Sequence, residues 1–511
     1  MIFEKDMFPR DFKQYIWRDN ENRKFIFISI IAFFSLYNIF LRCYPYPNFL
    51  PDSYSYIDAA TQNVNLNMWP VGYSKFLRFL SVFNQTDKGL FFVQYLILIT
   101  SMLFFLITIR YLINPGKLTI RILFVLLILN PFWLYVSYFV SSDALFASTS
   151  LLWLTTLLWI IYFPKKDLIL FHGLILFFVF SIRYNALYYP LISATIIILN
   201  KSTLKQKLIN LSLACIPVLW FIVHTVMLYQ EKTSTVQFSP FGGWQLASNA
   251  LYMYAHVSPK TNQPVPKKLK DLHLLTVKHL DSLNHLPPNK RPDQQLGIYY
   301  LWDEKAPLKQ YLMIKYKGDS TTPYLKRWAR QAPIYSQYGA WLIKQYPIEF
   351  AEFYLLPNLI NYYAPSPEFL GTYNMGADTV DPGGVKWFRY KTNKVHGFSK
   401  DKNIQLTSIF PPMLAIINIF FITSFIGFIF LNGFKEISIN YKKVLWLFIS
   451  VWLINLAFSV FASPIVLRYQ VFPFIFTLTF GGILLSFLIK KSFTTQVDNP
   501  TVIQSDILPA Q

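Results

Sequence analysis

The sequence predicts an α-helical integral membrane protein with about ten transmembrane helices, amphipathic interfacial helices in the first outer loop and an α-rich outer domain. Three observations predict this class. The chain has 511 residues, of which 54% are hydrophobic and only 14% charged; soluble proteins carry about 25% charged residues. Apolar runs free of ionised side chains recur along it, most of them close to the roughly 20 residues that cross a bilayer. Lysine and arginine collect in alternate short segments between those runs, as they do in cytoplasmic loops.

Residues 1–24 are polar and basic, without a signal-peptide pattern, and the first apolar run is expected to act as its own uncleaved signal. Spans are expected near 25–41, 89–109, 122–136, 144–163, 168–182, 184–199 and 208–229, then near 404–431, 444–461 and 469–489. The pair 168–182 and 184–199 is short. One helix through both would overshoot the membrane and put Lys201, Lys205 and Lys207 opposite Lys165 and Lys166, so a turn is expected at "SIRYNA", around Arg183. With the N-terminus inside, at least 18 Lys and Arg fall in short inner segments against 6 in short outer ones. That bias places both termini inside and 230–403 outside. The first outer loop, 42–88, carries two amphipathic stretches, "SYSYIDAATQ" and "VGYSKFLRFLSVF", with apolar residues at helical spacing; such helices lie in the interface. The outer segment mixes Pro- and Gly-containing loops with helical stretches such as "YGAWLIKQYPIEFAEFYLL". The chain thus divides into a cytoplasmic segment (1–24), a seven-span module (25–229), an outer domain (230–403), three C-terminal spans (404–489) and a cytoplasmic tail (490–511).

The formal charge of +21 would suggest nucleic acid in a soluble chain. Here positive inner loops account for it, and no nucleic-acid motif accompanies it. Cys43 and Cys215 sit at the end of one apolar run and inside another, which argues against a disulfide framework or a Cys-based metal site. The seven histidines show no HExxH or paired ligand spacing, and no G-x-x-x-x-G-K-[ST] loop is present, so an ATP-driven pump is not expected. The stretch "GGWQLASNALYMY" (242–254) reads as a helix with an aromatic face, either packed against the protein or lining an acceptor groove.

Four ionisable residues fall on short outer turns. Asp52 follows the first span, Asp143 lies where the third turns into the fourth, Arg183 at the turn between fifth and sixth, and Arg468 at the start of the last. Taken singly, each aspartate reads as a helix cap and each arginine as an interfacial anchor. Together at one height they suit a different task, because charges at membrane level face a cavity or one another. A guanidinium grips phosphate bidentately, and an aspartate beside a hydroxyl can take its proton as the oxygen attacks. Tyr54, Tyr56 and Trp69 are candidates for stacking on a sugar, although Tyr and Trp are also enriched at membrane interfaces.

Four stretches resemble the polytopic GT-C glycosyltransferases, which use lipid-linked sugar donors: "PDSYSYIDAA" followed by "MWPVGYSKFL", "NPFWLYVSYFVSSDALFASTSLLWL", "SIRYNALYYPL" and "RYQVFPFIFTL". They are similar to segments of the protein O-mannosyltransferase and lipid A aminoarabinose transferase families, over about the first 230 residues and a short piece near 468. The resemblance implies a GT-C-like fold and a catalytic base at Asp52. It implicates Asp143, Arg183 and Arg468 around the donor phosphate and acceptor. It implies a polyprenyl- or dolichyl-phosphate-sugar donor and a lipid, glycan or protein acceptor, with membrane lipids around the chain and no nucleic acid. Some members bind a divalent cation through an acid pair in the first loop. Here Ser53 and Tyr54 follow Asp52, so an enzyme without a required cofactor is expected, with Asp143 the residue left to supply a ligand. A bacterial inner membrane is the expected location. A transporter or flippase of a lipid-linked glycan and a non-catalytic envelope assembly protein are the alternatives. The first would call for internal repeats and midplane charges, which the sequence lacks. The second would account for the basic outer segment and leave the four outer-face residues without a role.

Overall fold

A computed structural model describes residues 11–257, 264–395 and 402–497. The first ten residues, His396 and the tail beyond 497 lie outside the described residues. Within them the fold is all-α and contains no sheet; paired backbone is limited to isolated bridges such as Asn48 with Phe139 and Ser366 with Val466. The protein is a multi-pass α-helical membrane protein. Among the described residues, eight helices are long and apolar enough to cross a bilayer: Asn20–Cys43, Asp87–Leu112, Lys117–Ser137, Asp143–Tyr162, Leu204–Thr233, Gln405–Phe430, Ile439–Ala462 and Leu467–Ser492.

The expected turn at Arg183 is present. Lys166–Ile182 ends there with Arg183 extended (φ −150°, ψ 140°), and a short 3₁₀ stretch leads into Tyr189–Leu199. The two helices fold back on each other, since His172 Nε2 lies 2.9 Å from Ser193 Oγ. The run expected at 122–136 is broken. Asn130 caps a new start by accepting from Phe132 N at 3.0 Å, with Pro131 in the first helical position. Proline lacks the N–H that a continuous helix needs and disfavours helical backbone before it.

Burial separates the long helices by position. Over its apolar stretch Asp143–Tyr162 is 83% buried and Leu467–Ser492 78%, against 22% for Asn20–Cys43 and Leu204–Thr233. The first two therefore form the centre of the bundle, and the site residues Asp143 and Arg468 stand at their N-terminal ends.

The first loop folds into Pro51–Thr61 and Gly72–Phe83. Pro51 occupies the first turn, and the Ser53 hydroxyl closes the helix start. It accepts from Leu50 N at 2.8 Å and donates to Val140 O at 2.6 Å, tying the loop to the chain just before Asp143. Asp52 is thereby released from capping.

The outer segment has two parts. In the first, Phe241–Tyr254 lies along Tyr324–Gln345 around a core of its own that includes Trp244, Trp328, Tyr335 and Tyr338. In the second, Leu370, Tyr373, Trp387 and Phe388 join the core of the membrane bundle. Asn358 begins this return by donating through Nδ2 to the carbonyls of Val460 and Ser463, both at 2.8 Å, and accepting from Ile465 N at 2.8 Å. These bonds fix the backbone that leads into Arg468.

Candidate functional site

Asp52, Asp143, Arg183 and Arg468 converge. Arg468 Nη1 lies 3.4 Å from Asp52 Oδ2 and 3.8 Å from Asp143 Oδ2. Arg183 forms an ion pair with Asp143. More than four hundred residues of chain separate Asp52 from Arg468. The first-loop helix brings one, the start of the last long helix the other.

The two acids are held differently. Asp143 is 4% exposed, paired with Arg183, and accepts from Ser141 Oγ at 2.8 Å. As the first residue of Asp143–Tyr162 it also lies at the positive end of that helix. Asp52 is 20% exposed and its oxygen meets Arg468 at the edge of hydrogen-bonding range. Asp52 is thus the acid open to a ligand, and Asp143 the one that fixes the arginines.

Both arginines pack on Tyr469. The Arg183 and Arg468 guanidinium carbons lie 4.9 and 4.7 Å from its ring centre, and Arg468 Nη2 donates to its hydroxyl at 2.8 Å. Cation–π contact with an electron-rich face offsets part of the repulsion between the two cations. A fifth ionisable group completes the set. Glu368 Oε2 lies 3.7 Å from Arg468 Nε. Burial pushes the Glu368 carboxyl above the usual carboxylate range; Arg468 opposes that shift, while Asp52 and Asp143 add to it.

These side chains line one cavity, about 1020 Å³ with its open mouth included. Its lining combines charged side chains, Asp52, Arg183, Glu368 and Arg468, with aromatic and amide-bearing ones, among them Trp69, Phe241, Trp302 and Gln245. Trp69 lies 5.0 Å from Phe241 and 6.0 Å from Trp302, ring centre to ring centre. Segment 230–403 therefore supplies about a third of the lining, including Phe241, Gln245, Trp302 and Glu368. A smaller recess shares Arg183, Asn185, Arg468 and Tyr469 with it and adds Asp143 and the apolar Phe146, Ala147, Val471 and Phe472.

Of the three aromatic candidates, Trp69 and Tyr56 line the cavity. Tyr56 is otherwise buried, with its hydroxyl 3.2 Å from Ser142 Oγ, and burial raises its pKa. Tyr54 is elsewhere. Its ring stacks on Phe49 at 5.4 Å and its hydroxyl accepts from Asp381 N at 3.4 Å. Sequence reasoning missed Glu368, Tyr469, Phe241 and Trp302. Phe241 immediately precedes the aromatic stretch at 242–254, and Tyr469 follows Arg468. Glu368, in "APSPEFLG", had no comparable signal.

Asp52 and Asp143 both face Nη1 of Arg468. Among the described residues no three His, Cys, Asp or Glu side chains group closely enough to share an ion. The chain matches no protein-family model, no curated protein and no solved structure.

Proposed function

We propose that the protein is a membrane glycosyltransferase of GT-C type. In this reading it transfers a sugar from a polyprenyl- or dolichyl-phosphate donor to an acceptor hydroxyl, with inversion, on the outer face of the membrane. The proposed topology has ten spans, the short pair at 166–199 included, with 230–403 outside. The observation that carries the reading is the meeting of an accessible carboxylate, Asp52, with two guanidiniums in one cavity beside an apolar recess. That combination suits a ligand with a phosphate in its middle, a greasy chain on one side and a sugar on the other.

Arg468 and Arg183 hold the donor phosphate, and the prenyl chain lies toward Phe146 and Phe472. The acceptor hydroxyl lies against Asp52, whose carboxylate takes its proton. The acceptor oxygen forms its bond to the anomeric carbon as the bond from that carbon to the phosphate oxygen breaks. The bonding pair leaves on the phosphate, where the arginines stabilise it. Their fixed charges need no reorganisation at that moment, and partial exclusion of water strengthens them. A single displacement inverts the anomeric centre.

Asp52→Asn keeps the shape and removes the base. Transfer from a labelled polyprenyl-phosphate sugar by the protein in proteoliposomes should fall by about 10²–10⁴-fold, the usual contribution of a general base. Transfer by Asp52→Asn within threefold of wild type would remove Asp52 from the chemistry.

A further inference from the structure

Arg468 meets carboxyl groups on two sides, and they are not equally bound. Nη1 faces Asp52 and Asp143, and Nη2 donates to Tyr469. Nε faces Glu368 Oε2 across 3.7 Å, beyond hydrogen-bonding distance. Both atoms are buried, and neither has a hydrogen-bond partner among the described residues. A buried donor and a buried acceptor left unsatisfied in this way each carry an uncompensated desolvation cost. They leave the Nε edge of the guanidinium without a hydrogen-bonded partner among the described residues.

The backbone keeps Glu368 there against its preference. Its φ is 48°, in the left-handed region that a residue with a Cβ disfavours. The loop is pinned on both sides: Leu370 N donates to Pro367 O at 3.0 Å, and Leu467 N to Ser366 O at 2.9 Å. The second bond ties the loop to the residue before Arg468. The surrounding structure thus presents a carboxyl to the Nε edge of an arginine without letting the two bond.

We propose that Glu368 is a placeholder for phosphate: its carboxylate faces the Nε edge of Arg468 in the free pocket, and a phosphate-bearing ligand takes that edge as Glu368 accepts a proton from solvent. The Nε and Nη2 hydrogens form the fork that a phosphate's two free oxygens match. An arriving phosphate adds a negative charge beside Glu368, which already faces Asp52 from the first-loop helix and Asp143 from the central helix. Arg468, Arg183 and Tyr469 stand opposite. Four anionic groups around two cations are more than the site can hold, and burial already disfavours the charge on Glu368. Protonation of Glu368 relieves the excess. The exchange rests on the donor reading above and gives it a proton linkage.

The test is binding, not transfer. The probe is farnesyl methyl phosphate, a phosphodiester whose single charge is constant from about pH 5 to about pH 8, where carboxyl groups with raised pKa titrate. Calorimetry of the full-length protein, run in buffers of different ionisation enthalpy, should show uptake of up to one proton on binding. Affinity should fall as pH rises, at the limit by about tenfold per unit. Glu368→Gln, which keeps the shape and removes the charge, should bind the probe about three- to tenfold tighter at about pH 8, without proton uptake. A merely structural Glu368 would instead give weaker binding in the variant. Binding by wild type with no proton uptake would overturn the exchange and leave the donor reading standing. Phosphatidylglycerol, also a phosphodiester of constant charge over this range, is run alongside: its binding with the same proton uptake where the prenyl diester does not bind would support the exchange and remove the prenyl donor as its occupant, and binding of neither would overturn both.

Discussion

Asp52 and Asp143 are both acids in the first turn of a helix, and packing alone separates their roles. Asp143 neutralises Arg183 in a buried pair, and breaking such a pair leaves an uncompensated charge at a cost of about 3–5 kcal/mol. Asp143→Asn should therefore lower the melting temperature in detergent by several degrees, whereas Asp52→Asn, at the cavity edge, should melt close to wild type. Equal melting of both variants would show that Asp143 does not hold the turn. The same residues show what a sequence reveals at this scale. Asp52, Asp143, Arg183 and Arg468 were legible because each ends an apolar run, where a charge stands out. Glu368 was not. What brings it to the site is a backbone pairing of Ser366 with Val466, a hundred residues away, and nothing local announces such a contact. Tyr54 and Tyr56 looked alike in sequence, but two positions along a helix turn a side chain by about 200°. Tyr56 therefore faces Ser142, and Tyr54 faces Phe49.

Helix existence followed from periodicity and apolar length; helix starts and close approaches followed from single residues. The break at Asn130 and Pro131 and the turn at Arg183 both rest on local chemistry. Gly72 is a case that only the packing explains. It begins the second first-loop helix, and a Cβ there would lie 2.5 Å from Ser181 O, the carbonyl two residues before Arg183. The loop can approach the end of Lys166–Ile182 only because Gly72 has no side chain. Gly72→Val should push the two apart, at a cost of about 1–3 kcal/mol from overpacking, and displace Arg183 from Asp143. The expected result is a lower melting temperature together with weaker binding of farnesyl methyl phosphate. A variant that binds the probe like wild type would mean that this contact does not set the position of Arg183.

At the scale of the molecule, the side of the membrane on which the cavity opens decides what it can take as donor. Lipid-phosphate sugars suit a site on the outer face, whereas nucleotide sugars are a cytoplasmic supply. Charge counting put Arg183, Arg468 and 230–403 outside. The fold adds that these parts share one cavity, because Phe241, Gln245 and Trp302 line it together with both arginines. They must therefore lie on one side together, and one measurement orients them all. In a background with Cys43 and Cys215 replaced by serine, Lys278→Cys in the outer segment and Lys205→Cys before Leu204–Thr233 crosses the membrane are both at exposed positions. A membrane-impermeant maleimide added to intact cells should label the first and spare the second until the cells are opened. The reverse pattern would place the cavity in the cytoplasm, and with it would fall the lipid-linked donor, whatever the distances between Asp52 and the arginines.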